Sequence, residues 1–405
     1  MSSNEKLSKA KFVGCVLLII SSMIGGGIFA LPIMAFKLGI AATIILTLVI
    51  YVIMTIAGLF VVEISTKLPP YHNHYSSLSY YAFGNWGKAF ALVAFSVAIY
   101  ATLIAYISAV PALLGSNSCN MDIYSCIAPS SLQMIFTGGL GLVLIYSMKY
   151  SENINRLIMV VKLVALTIVI ILMMQYLDLK TLFLVKINPK DLIQVCLIIV
   201  LAFSYQSILP SIVNYMGNEN KKQIKQVIII GTVITCAIYL LWVVSIASYI
   251  KHVGAQAAFE ADPSLAQLVA IIKTNSDGSF TVHALNVFLN VTLFASFITI
   301  SIAFIDFWID ALNLNNNIKG RVIAGLIALV PSLLVAIFFK SIFVLALAVS
   351  GFAGIGYSVL IPSGVAYKLY DKYNANGSYF FLGGKNIRLC LFVASAIFLV
   401  IAAIF

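Results

Sequence analysis

Two ionisable side chains stand out because they lie within long apolar runs of this sequence. Lys162 lies in the run at 155–176 and Asp306 in the run at 284–311. A charged side chain inside a lipid bilayer costs several kcal/mol, so residues of this kind are candidates for function. The chemistry open to a lone ammonium and a lone carboxylate is the binding and release of protons, because burial favours the neutral form of each.

The first apolar run contains a second unusual feature, the stretch SSMIGGGIFALP at 21–32. Relative to Ala, each Gly weakens a helix by about 1 kcal/mol and Pro by about 3 kcal/mol. A matching stretch, FSYQSILP at 203–210, also ends in Leu-Pro. Interrupted helices free backbone groups, which a membrane tolerates only beside a cavity or a ligand. Free N–H groups suit a carboxylate and free carbonyl groups suit an ammonium, so the two stretches predict a site for a zwitterion.

Membrane-spanning helices must position these residues. The chain has 405 residues, of which 62% are hydrophobic and 9% are charged. A helix of about 20 apolar residues spans the hydrocarbon core, and continuous apolar runs disfavour a β-barrel. We therefore predict an all-α polytopic membrane protein with eleven spans, at 12–36, 38–66, 86–114, 131–149, 155–176, 191–216, 224–250, 284–311, 321–340, 342–363 and 386–405.

The basic residues set the expected orientation. Of the 24 Lys and Arg residues, 16 lie in segments on the side of the N-terminus and 7 lie on the opposite side. Basic loops remain in the cytoplasm, so we expect a cytoplasmic N-terminus and an external C-terminus. The net charge of +11 is scattered over loops, which disfavours a nucleic-acid partner. The first apolar run is too long for a signal-peptide core and is expected to be retained as a span.

The two interrupted spans are the first and the sixth. Because five spans is an odd number, the two halves of the chain run in opposite directions through the membrane, which is typical of secondary transporters with inverted repeats. The predicted organisation is an N-terminal tail at 1–11, a first repeat at 12–176, an outer connection at 177–190, a second repeat at 191–363, a cytoplasmic loop at 364–385 and an eleventh span at 386–405.

Other polar residues give weaker signals. Cys119 and Cys126 share an outer segment, where they form either a disulfide or two free thiols. His72 and His74 lie in an inner loop, where a solvated role is favoured over metal binding. We expect no metal and no cofactor. Because the sequence has no HExxH motif and no acidic cluster, a membrane enzyme is disfavoured.

Two spacings of four residues suggest charges at the membrane surface. Glu63 and Lys67 are predicted to form an ion pair there. Asp310 lies one turn after Asp306 and is expected to be a solvated cap or part of a gate salt bridge.

Several motifs resemble those of a known family. The sequence from Ile24 to Ile28, followed by Leu31 and Pro32, resembles the first-helix signature of the amino acid–polyamine–organocation superfamily. The runs SIVNYM at 211–216 and IDFWID at 305–310 resemble the hydroxy and aromatic amino acid permeases, especially tyrosine- and tryptophan-specific members. This resemblance implies a LeuT-type fold, with two inverted five-helix repeats plus one helix. It also implies proton-coupled import of an amino acid across a bacterial inner membrane.

The resemblance also implies roles for particular residues. Lys162 would occupy the place that a sodium ion takes in sodium-coupled relatives, and Asp306 would be its partner or a separate gate charge. The alternative is that the Lys162 side chain extends to the inner membrane surface. The N–H groups of Gly25, Gly26 and Gly27 would bind the substrate carboxylate. Ser22, Met23, Phe203 and Ser204 would face the amino group. Independently of the resemblance, Tyr106, Phe203, Tyr205 and Phe297 are candidates for an aromatic wall around the substrate side chain, and Gln206 could bind a tyrosine hydroxyl.

The substrate and the coupling ion both have alternatives. Many relatives carry a glycine and a histidine where this chain has Ser204 and Gln206, so a role of that histidine does not transfer to this chain. Serine, threonine or another neutral amino acid is the alternative substrate. Sodium is the alternative to the proton, because Ser296, Thr299 and Ser301 offer hydroxyl oxygens near the predicted cation site.

Overall fold

The computed structural model describes residues 9–67, 75–114, 128–146, 151–183, 191–275, 280–312, 314–315, 317–339, 341–374 and 384–404. Within these ranges the secondary structure is helical, with short 3-10 turns and one π-helical turn at Gly356–Leu360. The helices are α1 (Lys9–Met23), α2 (Gly26–Leu38), α3 (Ile40–Ser65), α4 (Tyr75–Leu114), α5 (Pro129–Tyr146), α6 (Ser151–Met173), α7 (Leu192–Ala202), α8 (Leu209–Met216), α9 (Lys221–His252), α10 (Gln256–Ala261), α11 (Leu265–Thr274), α12 (Phe280–Ala311), α13 (Ile318–Phe338), α14 (Phe343–Ile355), α15 (Ile361–Asn374) and α16 (Lys385–Ile404).

The described residues contain at most ten segments that qualify as membrane spans, one fewer than the eleven predicted from the sequence. Nine segments of the described chain are long and apolar enough to cross a membrane, and the bent pair of α1 and α2 makes a tenth. A shorter apolar helix, Pro129–Leu144 within α5, coincides with the predicted fourth span. Each of the eleven predicted spans has a helical counterpart, so the prediction of a polytopic helical protein is confirmed.

Several segments that we expected to be loops contain α-helix, including 364–385, into which α15 extends as far as Asn374. In the segment 67–85, α4 begins at Tyr75 and turns at Gly84, whose φ of +64° favours glycine. In the segment 251–283, α10 and α11 are both too short to cross a membrane, so a search for long apolar runs misses them. The Ser264 hydroxyl caps α11 by accepting the N–H of Gln267.

The predicted sites at His72, His74, Cys119 and Cys126 lie outside the described residues.

The interrupted spans lie at the centre of the bundle. The half-helices α1 and α2 pack against α9 and α7 respectively, and α14 packs against both α4 and α7. Helices in lipid associate through close packing of small residues rather than through the hydrophobic effect. A Cβ atom at Gly27 would lie 2.6 Å from the Cβ of Ala202, so α2 and α7 approach as closely as glycine allows.

The predicted ion pair of Glu63 with Lys67 is present, but it is buried and a second cation shares the carboxylate. Lys67 Nζ lies 3.9 Å from Glu63, but Arg388 Nη2 donates to both Glu63 carboxylate oxygens, at 2.8 and 3.0 Å. The pair is buried rather than at the surface, because Arg388 is inaccessible and Glu63 is 2% exposed. The guanidinium also lies between the rings of Phe60 and Tyr370, at 5.0 and 4.8 Å. These contacts attach α16 to α3 and α15.

Candidate functional site

The first interruption lies where the glycine sequence predicts it. Helix α1 ends at Met23, α2 begins at Gly26, and the two helices are bent by 51°. In a continuous helix the Gly26 N–H would bond to the Ser22 carbonyl. Here it donates to the Tyr106 hydroxyl oxygen at 2.9 Å. Tyr106, on α4, therefore contacts the N-terminus of a half-helix, where carboxylates bind favourably.

The second interruption lies in the predicted stretch but before its proline. Helix α7 ends at Ala202, a 3-10 turn covers Gln206–Ile208, and α8 begins at Leu209. Pro210 lies in the first turn of α8, where a missing N–H costs nothing. Pro32 likewise lies inside α2 rather than in the first interruption. The prolines therefore follow the two breaks, and Phe203, Ser204 and Tyr205 form the second one.

Lys162 reaches the first interruption from α6. Its Nζ donates to the carbonyls of Ser21 and Ile24, both at 2.8 Å, and the residue is only 4% exposed. Ser21 lies in the last turn of α1 and Ile24 directly follows that helix, so both carbonyls lie at its C-terminal end, which carries partial negative charge. Lys162 is therefore not a lysine that extends to the membrane surface, because its ammonium is held by the broken helix.

Asp306 lies in a different environment from the one expected for a partner of Lys162. Its carboxylate accepts a hydrogen bond from Arg321 Nη1 at 3.1 Å and is 54% exposed. Two roles were predicted for Asp306. The partnership with Lys162 is wrong, because the positive charge that faces the Asp306 carboxylate is Arg321 of α13. Asp310 is exposed at the end of the same helix. A gate role for Asp306 stays a prediction.

Helix α9 contributes two contacts that sequence reasoning missed. The Tyr239 hydroxyl lies 2.7 Å from the Met23 carbonyl and 3.0 Å from the Ala202 carbonyl, so it joins the C-terminal ends of α1 and α7. One turn later, the Trp242 indole N–H donates to the Ile28 carbonyl in α2 at 2.8 Å. The chain has 20 Tyr and 3 Trp residues, and only the i, i+3 spacing marks this pair in the sequence.

The side chains of the second interruption pack against α3 and α9. The Phe203 ring lies 6.0 Å from the ring of Tyr51 and 5.3 Å from that of Tyr239. Gln206 Nε2 donates to the Met54 carbonyl at 3.2 Å, and the Tyr205 hydroxyl lies 3.5 Å from the same oxygen. Gln206 is fully buried, and its Oε1 has no donor among the described residues.

The three remaining predicted residues bond to nearby backbone carbonyls or contact another helix. The hydroxyl of Ser22 donates to the Ile19 carbonyl, and that of Ser204 donates to the Val200 carbonyl, both at 2.8 Å. The Phe297 ring contacts Phe136 of α5 at 4.9 Å. The structure therefore brings together Lys162, Tyr106, Met23, Phe203 and the glycines, whereas Phe297 turns its ring to α5.

Two interrupted helices that pack side by side within a bundle of apolar spans are the central feature of a LeuT-type fold. The crystal structure of MhsT in complex with L-phenylalanine has the same fold, with a TM-score of 0.67 and 16% sequence identity over 100% of this chain and 99% of that one. The tryptophan/tyrosine permease family model matches residues 8–403, and the chain belongs to this family.

Two relatives illustrate the range of the family. The chain is 26% identical over 383 residues to the tyrosine-specific transport system 1 of Haemophilus influenzae, covering 94% of this chain and 93% of the relative. It is 22% identical over 377 residues to the low affinity tryptophan permease of Proteus vulgaris, covering 90% and 88% of the two chains.

Proposed function

We propose that this protein imports an aromatic amino acid, tyrosine or tryptophan, together with a proton across a bacterial inner membrane by alternating access. The family and the names of the two relatives support the substrate class. The proton is supported by one observation above all, the bonding of the Lys162 ammonium to the end of a broken helix. The excess of basic residues on one side supports a cytoplasmic N-terminus and a periplasmic C-terminus.

Lys162 is proposed to carry the coupling proton. Its two carbonyl acceptors are oxygen ligands of the kind that would hold a monovalent cation, and the ammonium supplies the positive charge in its place. Loss of the proton removes that charge from the negative end of α1, which weakens the attachment of α1 to α6. Protonation is thereby linked to the position of the half-helix that lies beside the substrate.

The backbone of the two interruptions is proposed to bind the zwitterionic part of the substrate. The N–H groups of Gly25, Gly26 and Gly27 would bind the carboxylate, and the Tyr106 hydroxyl would change from acceptor to donor as the carboxylate arrives. The carbonyl of Ser22 is open to the ammonium, because its usual helical donor, the Gly26 N–H, bonds to Tyr106 instead.

The substrate side chain is proposed to extend toward the second interruption. Phe203 and Tyr205 offer aromatic surface there. The unsatisfied Oε1 of Gln206 suits a substrate that carries a donor, such as the phenol of tyrosine or the indole of tryptophan.

The segments 12–176 and 191–363 are proposed to be the two inverted repeats, with the remaining segments as predicted from the sequence. Each begins with an interrupted span, and five spans separate the starts of the two. In this scheme the interrupted spans move against the rest of the bundle and expose the site to each side of the membrane in turn.

Transport by the purified protein in proteoliposomes tests the proposal. We expect counterflow of L-tyrosine and L-tryptophan but not of L-serine or L-threonine. An inward proton gradient should drive accumulation without sodium, and a protonophore should abolish it. Lys162→Gln should keep exchange and lose proton-driven accumulation, whereas Lys319→Gln, at an exposed residue of α13, should keep both. Normal accumulation by Lys162→Gln would remove this lysine from the coupling mechanism.

A further inference from the structure

A single phenol group joins the two interrupted helices. Tyr239 is inaccessible to solvent, and its hydroxyl oxygen lies within hydrogen-bond distance of the last carbonyl of α1, at Met23, and the last carbonyl of α7, at Ala202. Its ring meets Phe203 edge to face at 5.3 Å, which fixes the direction of the hydroxyl. Tyr239 itself lies in neither interruption, because it belongs to α9.

Both carbonyls are acceptors that need a donor. The last carbonyls of a helix have no partner within the helix, and they carry the negative end of its dipole. Two such ends face each other here and repel each other unless a positive group or a donor lies between them. A phenol has one O–H proton, so it can donate fully to only one of the two carbonyls at a time.

We propose that Tyr239 is a positioning residue for the ammonium group of the substrate. Its hydroxyl holds the ends of α1 and α7 together and satisfies one carbonyl, while the other carbonyl and a lone pair of the phenol oxygen accept N–H groups from the ammonium. This inference rests on the proposed function, because it places an amino acid between the two interruptions.

Trp242 provides a matched control on the same helix. It is also an aromatic donor to the backbone of the first span, and it is 1% exposed. However, its hydrogen bond goes to Ile28 inside α2, and its ring packs against Phe288 of α12 at 5.5 Å. Trp242→Phe therefore removes a buried aromatic hydrogen bond without separating the two helix ends that Tyr239 joins.

The test compares two ligands that differ only at the ammonium. Binding of L-tyrosine and of 3-(4-hydroxyphenyl)propanoate, which lacks the amino group, is measured by competition against labelled L-tyrosine for wild type, Tyr239→Phe and Trp242→Phe. We expect Tyr239→Phe to raise the half-saturating concentration of L-tyrosine at least tenfold and to leave that of the propanoate unchanged. Trp242→Phe should change the half-saturating concentrations of the two ligands by the same factor. Elution as a single monodisperse species shows that each variant is folded.

The outcomes separate this inference from the proposed function. If wild type fails to bind any amino acid, the proposed function is wrong and the inference falls with it. If wild type binds L-tyrosine and Tyr239→Phe binds it equally well or more tightly, only the inference is overturned. An equal loss of affinity for L-tyrosine and for the propanoate also overturns the inference, because Tyr239 then supports the fold and not the ammonium site.

Discussion

Trp242 donates its indole N–H to the carbonyl that Pro32 leaves without a helical partner. A residue at position 32 would normally donate to the Ile28 carbonyl, but proline has no N–H. The indole nitrogen lies 2.8 Å from that oxygen. A side chain from α9 therefore supplies the hydrogen bond that the proline removes from α2. The same bond fixes the position of α2 relative to α9.

The same relationship recurs at two other prolines that lie inside helices. Pro111 in α4 frees the Ile107 carbonyl, which accepts Nε2 of Gln133 at 3.2 Å. Pro331 in α13 frees the Ile327 carbonyl, which accepts the Tyr100 hydroxyl at 2.9 Å. A freed carbonyl in the membrane must find a donor within the protein. Each proline thus creates a hydrogen bond between two helices.

Replacement of Trp242 by phenylalanine should destabilise the protein by about 1–3 kcal/mol, because it leaves the buried Ile28 carbonyl without a donor. In the Pro32→Ala background the loss should be smaller, since residue 32 then has an N–H for that carbonyl. Thermal unfolding in detergent, followed by light scattering, measures both effects. An equal loss in the two backgrounds would show that the indole acts through packing and not through the hydrogen bond.

The contact of Gly27 with Ala202 should not tolerate a methyl group. Gly27→Ala would place a Cβ atom 2.6 Å from the Ala202 Cβ and 2.9 Å from its Cα, so α2 and α7 would have to separate. Overpacking of this kind costs about 1–3 kcal/mol, and it would displace the backbone of both interruptions. We expect lower thermal stability and a loss of L-tyrosine counterflow.

Two companion variants make this expectation specific. Ala202→Gly in the same chain should restore part of the counterflow, because it removes one of the two clashing groups. Gly14→Ala, in α1, should have no effect, since a Cβ atom there meets nothing within 4 Å. Full activity of Gly27→Ala would mean that the helices adjust to the methyl group without moving the site.

The sequence predicts the parts of this fold that depend on local properties. Apolar length identifies the spans, and the glycines identify the first interruption. Lys162 is identifiable because a charge in an apolar run is rare. In contrast, the local i, i+4 spacing finds the Lys67 partner of Glu63 but cannot find Arg388, which comes from a distant segment. Arg321 reaches Asp306 from the next helix, and no local spacing indicates that pair. Tyr239 and Trp242 were missed because aromatic residues occur on almost every span, so composition cannot distinguish a donor to the backbone from a packing residue.

The buried pair of Glu63 and Arg388 should be sensitive to the loss of either charge alone. Glu63→Gln leaves the inaccessible guanidinium without its carboxylate, and breaking a buried pair in this way costs about 3–5 kcal/mol. The double variant Glu63→Gln/Arg388→Met should recover much of the stability. Asp306→Asn, which removes the exposed partner of Arg321, should cost less than about 1 kcal/mol. Equal thermal unfolding of wild type and Glu63→Gln would contradict this account.

Lys67 should make stability depend on pH. Burial lowers the pKa of Lys67 to about 8, with the neighbouring Glu63 raising it and Arg388 and Lys221 lowering it further. At pH values between this pKa and the usual lysine pKa, the unfolded chain binds more protons at Lys67 than the folded chain does. The free energy of unfolding should therefore rise as the pH increases through that range. The melting temperature of wild type relative to Lys67→Met should therefore rise between pH 7.5 and pH 9.5. A constant difference would contradict the lowered pKa.

Gln206 should contribute to the choice between aromatic substrates. Its buried Oε1 has no donor among the described residues, and its Nε2 is already bonded to Met54. A site that offers a buried acceptor discriminates against a ligand without a donor, because the acceptor then stays unpaired. Gln206→Leu should therefore lower the preference for L-tyrosine over L-phenylalanine at least tenfold in counterflow, mainly through weaker transport of L-tyrosine. If this ratio stays within twofold of wild type, the amide oxygen does not contact the substrate, and the donor for the phenol must be sought on another span.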